Sequence, residues 1–175
     1  EYMAIVGAYT GDAPDFIFSN SLGFSTTRFY AKKGYQWRYN GISSLESIMI
    51  GAIQAYSYGD KMDQYIKEKD KTIYVQIVST EHGLEQNIKK LLVGRIHVLI
   101  ENENVFQYHI KQTGSSINQF QDAGFMSRDD VHIAFSPNNK KSSIYVGMLN
   151  SGIKELRSSG KLKEILDKYG LRDWE

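Results

Sequence analysis

Residues Ser47–Ile66 read SIMIGAIQAYSYGDKMDQYI, and their reading decides the fold. Ile48, Met49, Ile50, Gly51, Ala52 and Ile53 form an apolar run of strand length, the pattern of a strand buried on both faces. Tyr56-Ser57-Tyr58-Gly59-Asp60 turns the chain, and Lys61 to Lys69 reads as a helix with Met62, Tyr65 and Ile66 on one face. A strand that passes through a polar turn into a helix leaves backbone N–H groups aimed at the turn. The helix dipole adds its positive end there, so the place suits a carboxylate or another acceptor-rich ligand. The plainer reading is an ordinary strand-to-helix connection capped by Asp60 or Ser57.

Outward from this stretch, the chain alternates strands and helices. Met3–Ala8 is expected as a buried opening strand, and the loop Tyr9–Asp15 follows on turn chemistry. Phe16–Phe18 and Ser25–Lys32 read as extended, and Ser43–Glu46 as a helix start capped by Ser43. Beyond the central segment, Thr72–Ser79 is a strand and Glu81–Val93 a helix stopped by Gly94. Ile96–Ile100 is a strand, Glu101–Asn104 a polar turn and Val105–Lys111 a helix. Ile117–Phe120 and Val131–Phe135 are expected strands, with Gly124–Asp130 between them. Helices over Ser142–Arg157 and Lys161–Tyr169 end the chain, the last burying Leu162, Ile165, Leu166 and Tyr169. This order predicts an α/β fold with largely parallel sheets. The opening strand has no helix before it to cover its sheet.

Composition narrows the function. At 175 residues, 41% hydrophobic and 23% charged, the chain suits one large domain or two small lobes. A net charge of +1 gives no footprint for nucleic acid. The absence of cysteine rules out disulfides and thiol chemistry, and is compatible with an oxidising compartment. Glu1 in place of Met leads us to expect a mature or cut chain. His82, His97, His109 and His132 fall in different elements without metal-ligand spacing, and no P-loop, GxGxxG or GxSxG occurs. Neither a metal nor a cofactor is expected. Glu101 and Glu103 are read as two solvated loop acids rather than an acid–base pair, and Trp37 and Tyr39 as cover for a sheet edge. Ligands of such folds bind beyond the carboxyl ends of strands, so binding outranks catalysis.

Four stretches, taken together, resemble the family 3 extracellular solute-binding proteins, the type II periplasmic binding proteins that serve ABC importers. Ser44-Leu45-Glu46 through Ile50-Gly51 to Tyr56-Ser57-Tyr58-Gly59-Asp60 is similar to the family's "SL…iG…GYSY.D" run. Leu91-Leu92-Val93-Gly94-Arg95-Ile96 is similar to its "kL..GRiD" step, and Phe18-Ser19 with Ser25 to Lys33 to its segment leading to the hinge. Gly160-Lys161 to Tyr169-Gly170-Leu171 is similar to its C-terminal "sGk…I..KYGL" helix. The resemblance implies two α/β lobes joined by two crossings, near Phe29–Gly34 and Phe135–Asn139. Lobe one would be residues 1–33 plus 137–175, incomplete at its N-terminal side, and lobe two residues 34–136.

What the resemblance implies for function is capture of a small polar, amino-acid-like or amine ligand for a membrane ABC permease, in the periplasm and without catalysis. A ligand-sensing receptor domain and a catalytic or degenerate member of the fold are the alternatives. The implied ligand-binding set is Gly7, Tyr9 and Thr10 in lobe one with Tyr56, Ser57, Tyr58, Glu101 and Asn102 in lobe two. Three departures weigh against a plain L-amino acid, and the acidic lobe-one loop with aromatic neighbours would suit a neutral or cationic ligand at least as well. The loop Gly11–Asp15 holds no Arg for an α-carboxylate, the usual Asp of "GRiD" is His97, and Asn102 is uncharged. An incomplete lobe one would leave an open sheet edge that invites dimerisation or swapping, and ligand binding by this chain alone is expected to be weak.

Overall fold

The computed structural model describes residues 3–11, 13–79 and 81–175. In chain order the strands are β1 (Ala4–Ala8), β2 (Ile17–Phe18), β3 (Phe24–Lys32), β4 (Ile50–Ile53), β5 (Val75–Val78), β6 (Val98–Asn102), β7 (Phe120–Asp130) and β8 (His132–Phe135). The α-helices are α1 (Asp60–Lys69), α2 (Gly83–Leu92), α3 (Glu103–Thr113), α4 (Ser142–Ser158) and α5 (Lys161–Tyr169). No helix among the described residues is long and apolar enough to cross a membrane.

Two compact units divide the chain: Glu1–Ser25 with Arg128–Glu175, and Thr26–Ser127. The cuts pass through β3 and β7, ahead of the crossings expected near Phe29–Gly34 and Phe135–Asn139. Pairing explains the placement. Thr27 to Ala31 of β3 lie against Asn102 to Val98 of β6, whereas β8 pairs with β1 and β2.

The second unit carries a five-stranded sheet ordered β5-β4-β6-β3-β7. β4 runs parallel to β5 and β6, and β3 runs antiparallel to β6. Alternate residues along each strand supply opposite faces. Ile50, Ala52, Val98, Ile100, Phe29 and Ala31 join Met62 and Tyr65 of α1 on one side. Ile53, Val78, Leu99 and Tyr30 join α2 and α3 on the other, through Leu84, Ile88, Leu91, Phe106 and Ile110. Each buried aliphatic or aromatic side chain removes apolar surface worth roughly 1.5–3 kcal/mol, which makes these two layers the stability of the unit. Trp37 and Tyr39 cover the first layer as expected, packing on Phe29 with ring centroids 5.7 and 4.4 Å away.

In the first unit the sheet is β1-β8-β2 and both pairings are antiparallel, so the largely parallel pairing expected is found for β5-β4-β6 of the second unit and not here. β8 re-enters this unit after the whole of the second one, in the direction opposite to β1 and β2. β1 is also not the buried strand that its apolar sequence suggested: Ile5 is 54% and Val6 76% exposed, because β1 is an edge strand with uncovered faces. Gly7 takes φ +83° where the register slips between Val6 and Ala8, so the strand bulges there. In α5 only Leu162 of the expected stripe is buried, while Ile165 and Tyr169 are exposed. Packing against α4 covers a narrow line of that helix rather than the whole face.

Local signals also differ in three places. Ser43–Glu46 forms a short 3₁₀ turn over Ile42–Leu45 that begins at Gly41 without a side-chain cap, and it is the Ser44 hydroxyl that bonds Gly41 O. Glu101 and Asn102 belong to β6, with Glu103 and Asn104 already in α3. Ile117–Gln119 is a 3₁₀ turn, and Gly124–Asp130 continues β7 as strand. Polar side chains pointed to a turn only at Glu101–Asn104, where the β6 ladder and the α3 cap were decided by tertiary pairing.

Gly51 sits where α2 presses on β4. A Cβ there would lie 2.5 Å from Ile96 Cδ1 and 2.7 Å from Asn87 Oδ1. Asn87 is buried and donates Nδ2–H to Ala52 O at 3.3 Å, so it has nowhere to retreat. Gly51→Ala is expected to destabilise the chain by about 1–3 kcal/mol, seen as a lower urea midpoint at unchanged slope.

Candidate functional site

Because β4 and β6 are parallel neighbours, their carboxyl ends open on the same edge of the second unit's sheet. Each end runs into a helix, so the N-termini of α1 and α3 face that edge as well. Two partial positive charges are thereby brought to one place.

On the β4 side, Ala55 takes a left-handed φ of 63° and Gly59 one of 86°, which folds Gln54 to Gly59 into a compact turn. Asp63 reaches back from the first turn of α1. Its carboxylate accepts from Ser57 Oγ at 2.8 Å and from the Tyr58 N–H at 2.8 Å. The cap anticipated at Ser57 or Asp60 is therefore replaced by Gly59 as the N-cap residue, with Asp63 bonding the turn from inside the helix. The N–H groups of Ser57, Asp60 and Lys61 take no hydrogen-bond partner among the described residues. Tyr56 is half exposed and tilts on Tyr58, ring centroids 6.2 Å apart. Tyr58 itself is buried, and its hydroxyl accepts from the Ile53 N–H at 2.9 Å. It pins the turn to the end of β4 rather than presenting a surface to ligand. Burial raises its hydroxyl above the ordinary tyrosine range.

On the β6 side, Asn102 is the N-cap of α3, its Oδ1 accepting from Asn104 N–H at 2.9 Å and Val105 N–H at 3.2 Å. The oxygen that would meet a ligand amine is thus shared with the helix cap. Glu101 overturns its reading as a solvated loop acid: it is 1% exposed. One carboxyl oxygen accepts from the Asn102 N–H at 2.8 Å, and the other is buried without a partner among the described residues. Burial pushes the carboxyl up to about 7, and only the Asn102 N–H opposes this. His97, at the "GRiD" Asp position, accepts the Met49 N–H on Nδ1 at 3.2 Å and stacks on Tyr35, which makes it a structural residue.

In the first unit, Gly7 lies in the β1 bulge, with Tyr9 and Thr10 beyond the strand's carboxyl end. Asp12, part of the acidic loop, lies outside the described residues. The sequence did not single out Arg28. Its Nε meets Glu103 at 2.9 Å and its Nη1 meets Asp122 at 3.0 Å, tying β3, the first turn of α3 and β7 together. Nothing local signals this triad, since 75 and 94 residues separate the partners. No cluster of three or more metal-ligating side chains exists among the described residues.

Glu101 makes stability depend on pH. Its carboxyl holds its proton to higher pH in the folded chain than the unfolded reference of ~4.3, so stability is greatest below that value. It falls as pH rises toward about 7 and the unfolded state alone ionises. Glu101→Gln is expected to remove a loss on the order of 3 kcal/mol between acid and alkaline pH, leaving the variant more stable than the parent at alkaline pH. Urea titrations of both chains across that range measure it. Parallel pH profiles would contradict the assignment.

No protein-family model and no curated protein matches the chain. Solved structures do. A mutant of ArgBP from T. maritima is 17% identical and superposes with a TM-score of 0.63 over 95% of this chain and 68% of its own. The GluR0 ligand-binding core from Nostoc punctiforme in complex with L-glutamate is 15% identical, with a TM-score of 0.63 over 94% of this chain and 70% of its own. A structure from work on glutathione import via GshT and the cystine ABC importer TcyBC of Streptococcus mutans is 16% identical, with a TM-score of 0.65 over 96% and 69%. The chain has the α/β fold of the type II periplasmic binding proteins.

Proposed function

We propose that this chain is a solute-binding protein that holds a small polar ligand at the strand-end edge of its second unit and delivers it to a membrane ABC permease on the outer side of the cytoplasmic membrane. One observation carries the reading. The parallel β4–β6 pair brings two helix N-termini and the unpartnered N–H groups of Ser57, Asp60 and Lys61 to one edge. That edge suits an acceptor-bearing group such as a carboxylate. Tyr56 offers an exposed ring beside it, and Gly7, Tyr9 and Thr10 are proposed ligand-binding residues within the first unit. The neighbouring proteins of this fold that act with amino acids, glutathione or an ABC importer support the solute class. Binding is favoured over catalysis because Glu101, the acid with the raised pKa, is closed off from the edge by burial.

The open edge of β1 is the proposed place where a second copy of the chain pairs, strand to strand, since β1 is bonded on one side only and exposes Ile5 and Val6. Light scattering over a dilution series is expected to show a dimer that dissociates; a monomer at every concentration would remove this part of the proposal.

A thermal-shift screen tests the ligand reading, with amino acids, polyamines, small peptides, organic acids and sugars as the panel. A ligand at about a hundred times its dissociation constant stabilises the native state by roughly 2.7 kcal/mol, a readily seen rise in melting temperature. Response to one chemical class is the expected result. A flat screen with the full panel would reject solute binding by this chain.

A further inference from the structure

A second groove lies in the same unit, along α3 from its first turn toward its C-terminal end. A groove of about 610 Å³ runs between α3 and β7, within the usual size range of small-molecule sites. Its floor is apolar: Tyr30 stacks on Phe106 at 3.8 Å between centroids, and Phe120 meets Phe106 edge-on at 5.4 Å. Its rim is polar, and the bonding there is uneven.

The carboxylates of the rim and the Gln121 amide oxygen have donors. Glu103 receives Arg28 Nε on one oxygen and Gln107 Nε2 on the other. Asp122 receives Arg28 Nη1 and the Gly124 N–H, and Gln121 Oε1 receives the Gly34 N–H. The donors are not all used. Tyr30 is 6% exposed, lines the groove, and its hydroxyl makes no hydrogen bond among the described residues. Lys111, two turns along α3 from Glu103, has no side-chain partner among them either. Burial, reinforced by the Glu103 carboxylate, keeps the Tyr30 proton on its oxygen at all ordinary pH, so that hydroxyl is available as a donor. The hydroxyl borders the groove, so an acceptor that enters there can take its hydrogen bond.

We propose that this groove is a binding site for a small organic anion with an apolar body, its carboxylate accepting from the Tyr30 hydroxyl and the Lys111 ammonium and its hydrocarbon part lying over Ile110 and Phe120. The groups that face the site are Arg28, Glu103, Asp122 and Lys111, and they sum to no net charge. Arg28 pairs with both carboxylates and Lys111 completes the charge balance, so Lys111 is the one cation of this rim without a side-chain partner among the described residues and the group left to meet an anion.

Amide NMR of the whole chain with phenylacetate as probe, and benzylamine as its charge-reversed counterpart, tests this. Phenylacetate is expected to shift residues 106–111 and 117–122 saturably, and benzylamine to leave them in place. Tyr30→Phe keeps the ring stack and should weaken the probe about fivefold, and Lys111→Glu about tenfold or more, in each case with the same set of residues responding. Four results would overturn the site: no saturable shift, shifts confined to residues 54–60 and 101–104, an equal response to benzylamine, or unchanged affinity in both variants.

Discussion

Parallel pairing of β4 with β6 is the constraint on which the second unit depends. Ile50 lies beside Val98 and Gly51 beside Leu99, so both strands end on one edge. The chain leaves β4 toward its parallel neighbour β5 through a crossover that contains α1, and it leaves β6 directly into α3. Helix N-termini therefore converge with strand ends without any side chain having to specify the meeting. The same pairing sorts side chains to the two faces, one layer closing over α1 and the other over α2 and α3.

Close approach is what lets those layers form. Gly51 leaves room for Asn87 and Ile96, and Gly83 sits with Ile53 carbons about 3.1 Å from where its Cβ would be. α2 lies on β4 through these two glycines, and the buried Asn87 amide then bonds the strand carbonyl of Ala52. A polar group inside an apolar layer needs such a partner, and Glu101 shows the contrary case. With one oxygen bonded to its neighbour's N–H and the other without a partner among the described residues, it lowers its cost of burial by retaining its proton. Arg28 stands opposite Glu101 in the β3–β6 register, yet its guanidinium goes to Glu103 and Asp122. The cation that would have ionised Glu101 is used to tie three elements together instead.

The elements with strong periodicity were legible. β4, α1, α2, α4 and α5 lie within a residue or two of their expected spans, because a run such as Ile48–Ile53 or a stripe such as Leu84, Ile88 and Leu91 has one physical use. Where polar side chains sat inside regular structure, the reading failed. Glu101-Asn102-Glu103-Asn104 looks like a turn, since four polar residues in a row carry no apolar period. In the fold they are a strand end, a helix cap and a first turn. The opening strand shows the reverse failure: its apolar residues suggested burial, while its position at a sheet edge leaves Val6 76% exposed.

By itself the sequence determined the alternation of strands and helices, the turn between β4 and α1, the absence of thiol chemistry and the resemblance to solute-binding proteins. These follow from residue type and from spacing over fewer than about twenty positions, the range within which neighbours in sequence are neighbours in space. Only the tertiary structure decided that β4 and β6 end together, that Glu101 is buried and protonated to near neutrality, and that Arg28 joins Glu103 and Asp122. It alone left Tyr30 beside a groove with its hydroxyl unbonded among the described residues. Each of these depends on contacts between residues tens of positions apart, and burial and charge pairing at that range are properties of packing rather than of pattern.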